Sequence, residues 1–451
     1  MRKILLVFLL FTVIILPDIF CSELTSNEEF SLTLQDAIGI AFKNNKDIQI
    51  SEQDISFAKA GIMSARSQFL PNVDANYSYT HNEAVSPVVV QGTKKDMGLF
   101  AGYKNDNLLG IGVTQTIYNG GANIAGFRQA QLSFEASNQT LRVKKLDVEF
   151  ETKRLYYGLL LAYETQRIAQ DLVGQAKTHY EDVKTKFGQG TSSKFDVLQS
   201  SVQVSKLMPQ LISAVNDIRL VMADLNKQLG IKIQAETKAK DKLAYSLIEI
   251  KEDDFLRQAY LTAPEMTVKS LGIDINKWAI NIAKAGYRPQ LTADLNYFYR
   301  SNNWNNMFNS KHNNWNVGIA MSVPIFDGFS SKAKVDEAKA RYTQANLDKA
   351  NLIDQIAVNI RQACLDLKEA QTIIDSQKDN VEEAKEALRI ANVGYDNGVN
   401  TNLDVLDAQV SLAQVEQNLA QGIYDYLLAK AFLDRTIGIS FIQEAKNEEK
   451  R

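Results

Sequence analysis

FGQGTSSKFDVLQS (187–200) returns later in the chain as YDNGVNTNLDVLDA (395–408). Gly190 aligns with Gly398, Asp196 with Asp404, Val197 with Val405 and Leu198 with Leu406, each pair 208 positions apart. QLGI (228–231) and TIGI (436–439) keep that offset, as do IYNGG (117–121) and IFDGF (325–329). Upstream, FLPNVDANYSY (69–79) answers YRPQLTADLNYFY (287–299) at an offset of 218, so the loops after Tyr79 and Tyr299 must differ in length. A unit of about 200 residues is far longer than a solenoid repeat. The chain is therefore a duplicated domain, with halves at 32–230 and 252–439.

Working outward from that turn, each half has one order of elements. A short helix (33–45; 253–262) leads into a second (47–69; 265–287), which Pro71 or Pro289 ends, because the residue before proline is pushed out of the helical region. After the hairpin described below, proline is absent from Gly121 to Phe187 and again from Phe329 to Asn397. About 67 residues at 1.5 Å each give a helix of roughly 100 Å. Ile353, Ala357, Ile360, Cys364 and Leu367 step by four and three, as a coiled-coil seam does. The turns GQGTSS (188–193) and NGVNT (397–401) then reverse the chain into a return helix that stops at Gly230 or Gly438. The return helix is about half as long as its partner, so the two leading helices are expected to pack on the rest of the long helix.

Between the leading helices and the long helix the period changes to two. Leu291, Ala293, Leu295, Tyr297 and Tyr299 alternate with Thr292, Asp294, Asn296 and Phe298, and Trp315, Val317, Ile319, Met321 and Val323 alternate with Asn316, Gly318, Ala320 and Ser322. Val73, Ala75, Tyr77 and Tyr79, then Leu109, Ile111 and Val113, repeat the pattern in the first half. Strands of about 10–12 residues with one apolar face suit a tilted membrane strand, and aromatic loop residues suit an interfacial girdle. A soluble hairpin with one face on a core is the alternative.

Arg2 and Lys3 followed by ILLVFLLFTVIIL (4–16) and Pro17 read as a secretory signal over residues 1–21, with an uncleaved anchor as the alternative. Asp18 and Phe20 before Cys21 lack the small, aliphatic character of a lipidation signal. No later stretch reaches 18 consecutive apolar residues, so no membrane helix is expected. Residues 1–21 hold two of the 50 basic and one of the 53 acidic residues, leaving 48 against 52, a balance that argues against nucleic acid as partner. Residues 440–451 form a polar tail. Cys364 in an apolar register reads as core, and His81, His179 and His312 are scattered without paired spacing, so neither a metal site nor any cofactor is expected. No nucleophile motif or phosphate loop stands out, and the expectation is a protein that is not an enzyme.

Four membrane strands cannot close a barrel, and open edges are not tolerated in lipid. Other copies must complete it: two give eight strands and a lumen filled by side chains, three give twelve and a water-filled pore. Long helices would continue such a pore as a hollow coiled-coil barrel.

The combined motifs resemble the TolC-type outer-membrane factor family over residues 32–439. The resemblance rests on Leu70–Pro71 before the first strand, on the I-[FY]-[DN]-G exits at 117–120 and 325–328, and on the G-x-x-T-x-x-D-V-L-D turn at 398–407. The family often has proline before the exit motif; Pro324 conforms, whereas Thr116 does not. The resemblance implies a mainly α fold with membrane β: a homotrimeric channel-tunnel in the outer membrane, with a twelve-strand barrel in lipid and a twelve-helix tunnel in the periplasm. It further implies a periplasmic adaptor and an inner-membrane pump of the RND, ABC or MFS class as partners, and passive export of drugs, metals or proteins. A pore-less trimeric coiled-coil scaffold or adhesin of the envelope is the alternative, and an exported enzyme a third.

The family's gate residues match Asp404 and Asp407, one face of the return helix. Three copies would gather six carboxylates around one axis, a site that favours cations and responds to pH and salt. Asp404 has a second reading, since Thr401-x-x-Asp404 is a capping box and Ser193-x-x-Asp196 its mate. Asp407 has no such explanation, and its mate is Gln199. By resemblance, Tyr395 and Asp196 hold neighbouring hairpins together, a hydroxyl donating to a carboxylate; ordinary seam packing is the alternative for Tyr395. Asn400 stands where the family often has a basic residue and cannot form its ion pair. Gly188, Gly190, Gly394 and Gly398 read as turn formers, and the resemblance makes the same turns adaptor-docking surfaces.

Overall fold

The computed structural model describes residues 30–83, 89–90, 93–94 and 103–440, so the signal expected at 1–21 and all but the first residue of the tail lie outside the described residues. The order is β1 (Phe30–Leu32), α1 (Leu34–Asn44), α2 (Lys46–Ser67), β2 (Asn72–His81), β3 (Val89–Val90), β4 (Thr93–Lys94), β5 (Asn105–Asn119), α3 (Ala122–Gly188) and α4 (Lys194–Leu229). Then follow β6 (Thr237–Ala239), α5 (Glu252–Thr262), α6 (Pro264–Lys284), β7 (Gln290–Ser301), β8 (Asn313–Ser322), α7 (Ser330–Asp396) and α8 (Asn402–Ile437). The duplication is metrical: α3 and α7 have 67 residues each, and α4 and α8 have 36 each.

The long helices are covered as the chain order requires. Ala37, Ala41 and Ile48 from α1 and α2 bury against Val148, Tyr156 and Leu159 of α3 and Leu225 and Leu229 of α4. Ala259 of α5 and Ala263 just after it bury against Ile360, Cys364 and Leu367 of α7 and Tyr426, Leu433 and Ile437 of α8. Helix α6 packs along both α3 and α7, and α8 also lies on α3, so the halves share one body. The seam of α7 differs from its expected register. Ile360, Cys364 and Leu367 are buried, but Ile353 and Ala357 are only half-buried. The inward row is Ile356, Ile360, Ala363, Leu367, Ala370 and Ile374, stepping four and three throughout. Ala357 lies one position off that row, on its flank, whereas Ile353 continues the row three residues before Ile356 but is less deeply covered.

The strands form one antiparallel sheet in the order β2-β5-β7-β8. Its register aligns the alternating residues across the sheet: Ala75 opposes Ile111, Ile111 opposes Tyr297, and Tyr297 opposes Trp315. Val73, Val113, Leu295 and Val317 form the next row of the same face. Val317, Ile319 and Met321 are 66%, 72% and 65% exposed, too large an apolar surface to face water without cover. At the loop end, Tyr77 meets Trp304 at 5.3 Å between ring centres and Tyr299 meets Phe308 at 5.5 Å, an aromatic cluster of the kind that marks a membrane interface. The other face carries Asn76, Gly110, Gly112, Asn296 and Asn316, and Arg300 bridges β7 to Asp106 of β5 at 2.6 Å.

Strand β5 runs 15 residues, longer than expected, with a register shift between Thr116 and Tyr118. The departure noted in the sequence explains it. Pro324 removes a ladder donor, and β8 ends at Ser322; Thr116 keeps its N–H, and β5 continues through IYN to Asn119. Among the described residues, the outer edges of β2 and β8 have no partner strand.

Candidate functional site

The candidate site is the pair of turns that close the helical hairpins α3–α4 and α7–α8. Helix α3 ends at Gly188, and the chain turns through Gly190 at φ 78°; α7 ends at Asp396, and the chain turns through Gly398 at φ 73°. Left-handed backbone of this kind crowds a Cβ against the following carbonyl, which is why both turns place glycine there. Gly188 and Gly394 are different. Both lie inside helices, so neither is a turn former. A Cβ on Gly394 would lie 2.5 Å from Asn400 Nδ2, whereas one on Gly188 would meet nothing within 4 Å. Asn400 folds back over Gly394, its backbone N–H donating to the Gly394 carbonyl at 3.1 Å.

The turns pass into α4 and α8 through two matching capping boxes. The Ser193 hydroxyl accepts from the Asp196 N–H at 3.1 Å, while Asp196 Oδ2 accepts from the Ser193 N–H at 3.1 Å and its hydroxyl at 2.7 Å. Thr401 and Asp404 repeat this, with Asp404 Oδ2 accepting from the Thr401 N–H and hydroxyl at 2.7 Å each. These bonds favour the ionised carboxylates. The Ser193 hydroxyl holds Asp196 below the usual carboxylate range, and the Thr401 N–H does so for Asp404. Asp407 lies one turn further along α8, exposed and without a partner among the described residues. Its mate Gln199 is engaged, accepting from Asn402 Nδ2 at 2.9 Å.

The hydroxyl–carboxylate bond expected between Tyr395 and Asp196 is absent within the protomer. Asp196 Oδ2 is taken up by its cap and by the Ser192 hydroxyl at 3.3 Å. The Tyr395 ring instead packs edge-on to His179, 5.0 Å between centres, and Lys186 Nζ sits 4.1 Å from its centre. Lys186 also pairs with Asp396 at 3.0 Å, tying α3 to α7. His179, Asn402, Ser200 and Gln199 also join the hairpins here. Asn402, the first residue of α8 and 4% exposed, reaches back so that Oδ1 accepts from the Ser200 hydroxyl at 3.0 Å and lies 2.7 Å from His179 Nε2, while Nδ2 reaches Gln199.

A four-strand sheet with a bare apolar face and two open edges, continued by helices of roughly 100 Å, defines one subunit of an outer-membrane export channel. The chain belongs to the outer membrane efflux protein family, whose model matches residues 37–230 and 255–439. Outer membrane protein TolC of Vibrio cholerae is 23% identical over 398 residues, spanning 86% of each chain. The alkaline protease secretion protein AprF of Pseudomonas aeruginosa is 21% identical over 425 residues, 92% of this chain and 86% of that one. The fold matches the outer membrane protein VceC from Vibrio cholerae with a TM-score of 0.76 at 18% identity, covering 90% of this chain and 96% of that one. The Campylobacter jejuni CmeC outer membrane channel matches with a TM-score of 0.77 at 20% identity, covering 92% and 89%. The protein is thus an efflux or secretion channel of the outer membrane and not an enzyme.

Proposed function

We propose that three copies of this chain close a twelve-strand barrel and a twelve-helix tunnel, and that Asp404 and Asp407 ring its periplasmic mouth as the gate. The three-copy reading follows from the open sheet: eight strands would leave a lumen filled by side chains, while twelve leave a water-filled one. The polar face, with Gly110, Gly112 and the Asp106–Arg300 pair, suits a wet lumen. The exposed turns around Gly190 and Gly398, with the adjoining Gly188 and Gly394, are the docking surface for a periplasmic adaptor. An inner-membrane pump of the RND, ABC or MFS class supplies the energy. Residues 1–21 direct export, and the halves 32–230 and 252–439 supply alternating hairpins of the tunnel.

The observation that carries the gate is Asp407: an exposed, unpartnered carboxylate one turn beyond the cap, at a position where the other half has an engaged glutamine. Asp404 serves both roles, its carboxylate fixed by Thr401 and left ionised. Planar-bilayer recordings of Asp407→Ala should show higher conductance and weaker cation preference than the parent, with Asp404→Ala adding to both. Parent-like conductance and selectivity in the double variant would overturn the gate.

A further inference from the structure

The chain passes from strand into long helix twice, and the two passages share one local structure. Asn119 Oδ1 accepts from the Asn123 N–H at 3.0 Å, and Asp327 Oδ2 accepts from the Ser331 N–H at 2.7 Å. Gly120 and Gly121 hold left-handed backbone at φ 70° and 87°, and Gly328 and Phe329 do so at φ 64° and 68°. Their surroundings differ. The first passage is seated within the chain: Gly120 is buried so closely on Ala285 that a Cβ would lie 2.6 Å from the Ala285 carbonyl, and its own carbonyl accepts from Arg288 Nη1 at 2.8 Å. The second passage is exposed at every residue over 321–330. By the offset of 218, residues 285–288 answer residues 67–70, and there Ala285 is 4% exposed while Ser67, Gln68, Phe69 and Leu70 are all open. One joint is thus made inside the chain, and the two halves of its copy lie bare beside the two outer strands of the sheet, β2 and β8.

Phe329 is where the copy departs from its template. It is the one non-glycine residue with positive φ among the described residues, a conformation that crowds its Cβ against the backbone. Strain of this kind persists only where the surrounding structure holds it. Within the protomer the Phe329 ring meets the Phe326 ring edge-on, 5.5 Å between centres, yet the residue is 67% exposed. The internal joint shows what it would touch. A Cβ on Gly121 would lie 3.4 Å from Arg288 Nη1. In the copy that pair becomes Phe329 and Leu70, which is 60% exposed, with Phe69 beside it. Arginine over glycine in the template is replaced by leucine under phenylalanine, so a polar joint becomes an apolar one. We infer that Phe329, braced by Phe326, seats on Leu70 and Phe69 of the next copy and clasps neighbouring protomers where sheet passes into helices. A contact between two different surfaces of one chain repeats head to tail around a ring. The clasp rests on the three-copy reading for the number of joints, but not for the pairing of residues across each.

The test uses full-length protein with both native cysteines replaced (Cys21→Ser, Cys364→Ser), solubilised in detergent. With Leu70→Cys and Phe329→Cys together, a short bifunctional thiol reagent should join chain to chain, and neither single variant should be joined. The second arm follows dissociation of the assembly by light scattering on a temperature ramp. Phe329→Gly restores the residue of the first half and relieves the backbone, so for a side chain without a partner it would leave the assembly at least as resistant as the parent. The clasp requires the opposite sign: dissociation at lower temperature. Leu70→Arg alone should weaken the assembly as well, whereas Leu70→Arg with Phe329→Gly rebuilds the internal joint between copies and should regain resistance. Trimers that the reagent does not join, or a Phe329→Gly assembly as resistant as the parent, would overturn the clasp and leave the three-copy reading standing. A Phe329→Gly variant that loses insertion into lipid vesicles while its detergent assembly stays intact would assign the ring to lipid, and the clasp falls. Particles of another number joined through 70 and 329 would keep the clasp and overturn the three-copy reading.

Discussion

Four glycines cluster at the two turns, but only two are required by their backbone. Gly398→Ala forces a Cβ into the left-handed region, which costs roughly 1–2 kcal/mol, whereas Gly188→Ala adds a methyl to the exposed end of α3, where nothing lies within 4 Å. The first variant should raise hydrogen exchange in the 394–404 segment, and the second should leave exchange in 186–196 unchanged. The capping carboxylates make the caps sensitive to acid. Their affinity for protons is lowered by Ser193 and Thr401, so the stability they add is present above the ordinary value of 3.8 and is lost as pH falls through the lowered one. At pH 5, amide exchange at Asp196 and Asp404 should therefore still be protected. Protection lost already at pH 5 would show that these carboxylates do not hold the caps. At this scale the sequence was readable where the chemistry is local. The capping boxes span three residues and were legible. The His179–Asn402 bond joins positions 223 apart, and no spacing in a single sequence announces it. Tyr395 and Asp196 do not meet within the protomer, because each has nearer partners there that no spacing shows.

Among the elements, the long helices are stabilised along one inward row, and its register is a measurable claim. Ile360→Ala removes a side chain 1% exposed and should lower stability by about 2–5 kcal/mol. Ile353→Ala, half-buried where the cover of the row thins, should cost visibly less. A thermal melt of the two variants checks the order, and equal losses would show that the core reaches Ile353 undiminished. The length, order and ends of the helices were legible because proline, glycine and capping residues act on their neighbours. The seam register was not, since a four-and-three pattern through Ile360 and Leu367 can take in Ala357 and Cys364 or Ile356 and Ala363 until the packing partners are known. In the sheet, one residue decides where a strand stops. Thr116→Pro should end β5 near the level at which β8 ends, removing the pairing of Tyr118 with Leu291 and Asn119 with Gln290. Accelerated amide exchange across 116–119, with the rest of the sheet protected, is the expected outcome.

For the whole molecule, the chain is a wedge that is incomplete alone. Its sheet has two unpaired edges and a bare apolar face, and its helices expose Phe57, Met63, Phe195, Leu198 and Val202. On the three-copy reading these surfaces are buried between copies and in lipid, and assembly and channel formation are one event. The duplication gives each protomer two hairpins of nearly equal length, which six-fold repetition around a tunnel needs, and leaves the second hairpin alone with Asp407. The most direct measurement is made on purified full-length protein: its mass by light scattering, followed by single-channel recording in a planar bilayer. The expected result is three chains per particle and a cation-preferring conductance. Particles of any other stoichiometry, or folded trimers that insert into lipid and pass no current in any variant, would contradict the channel assembled from three open sheets.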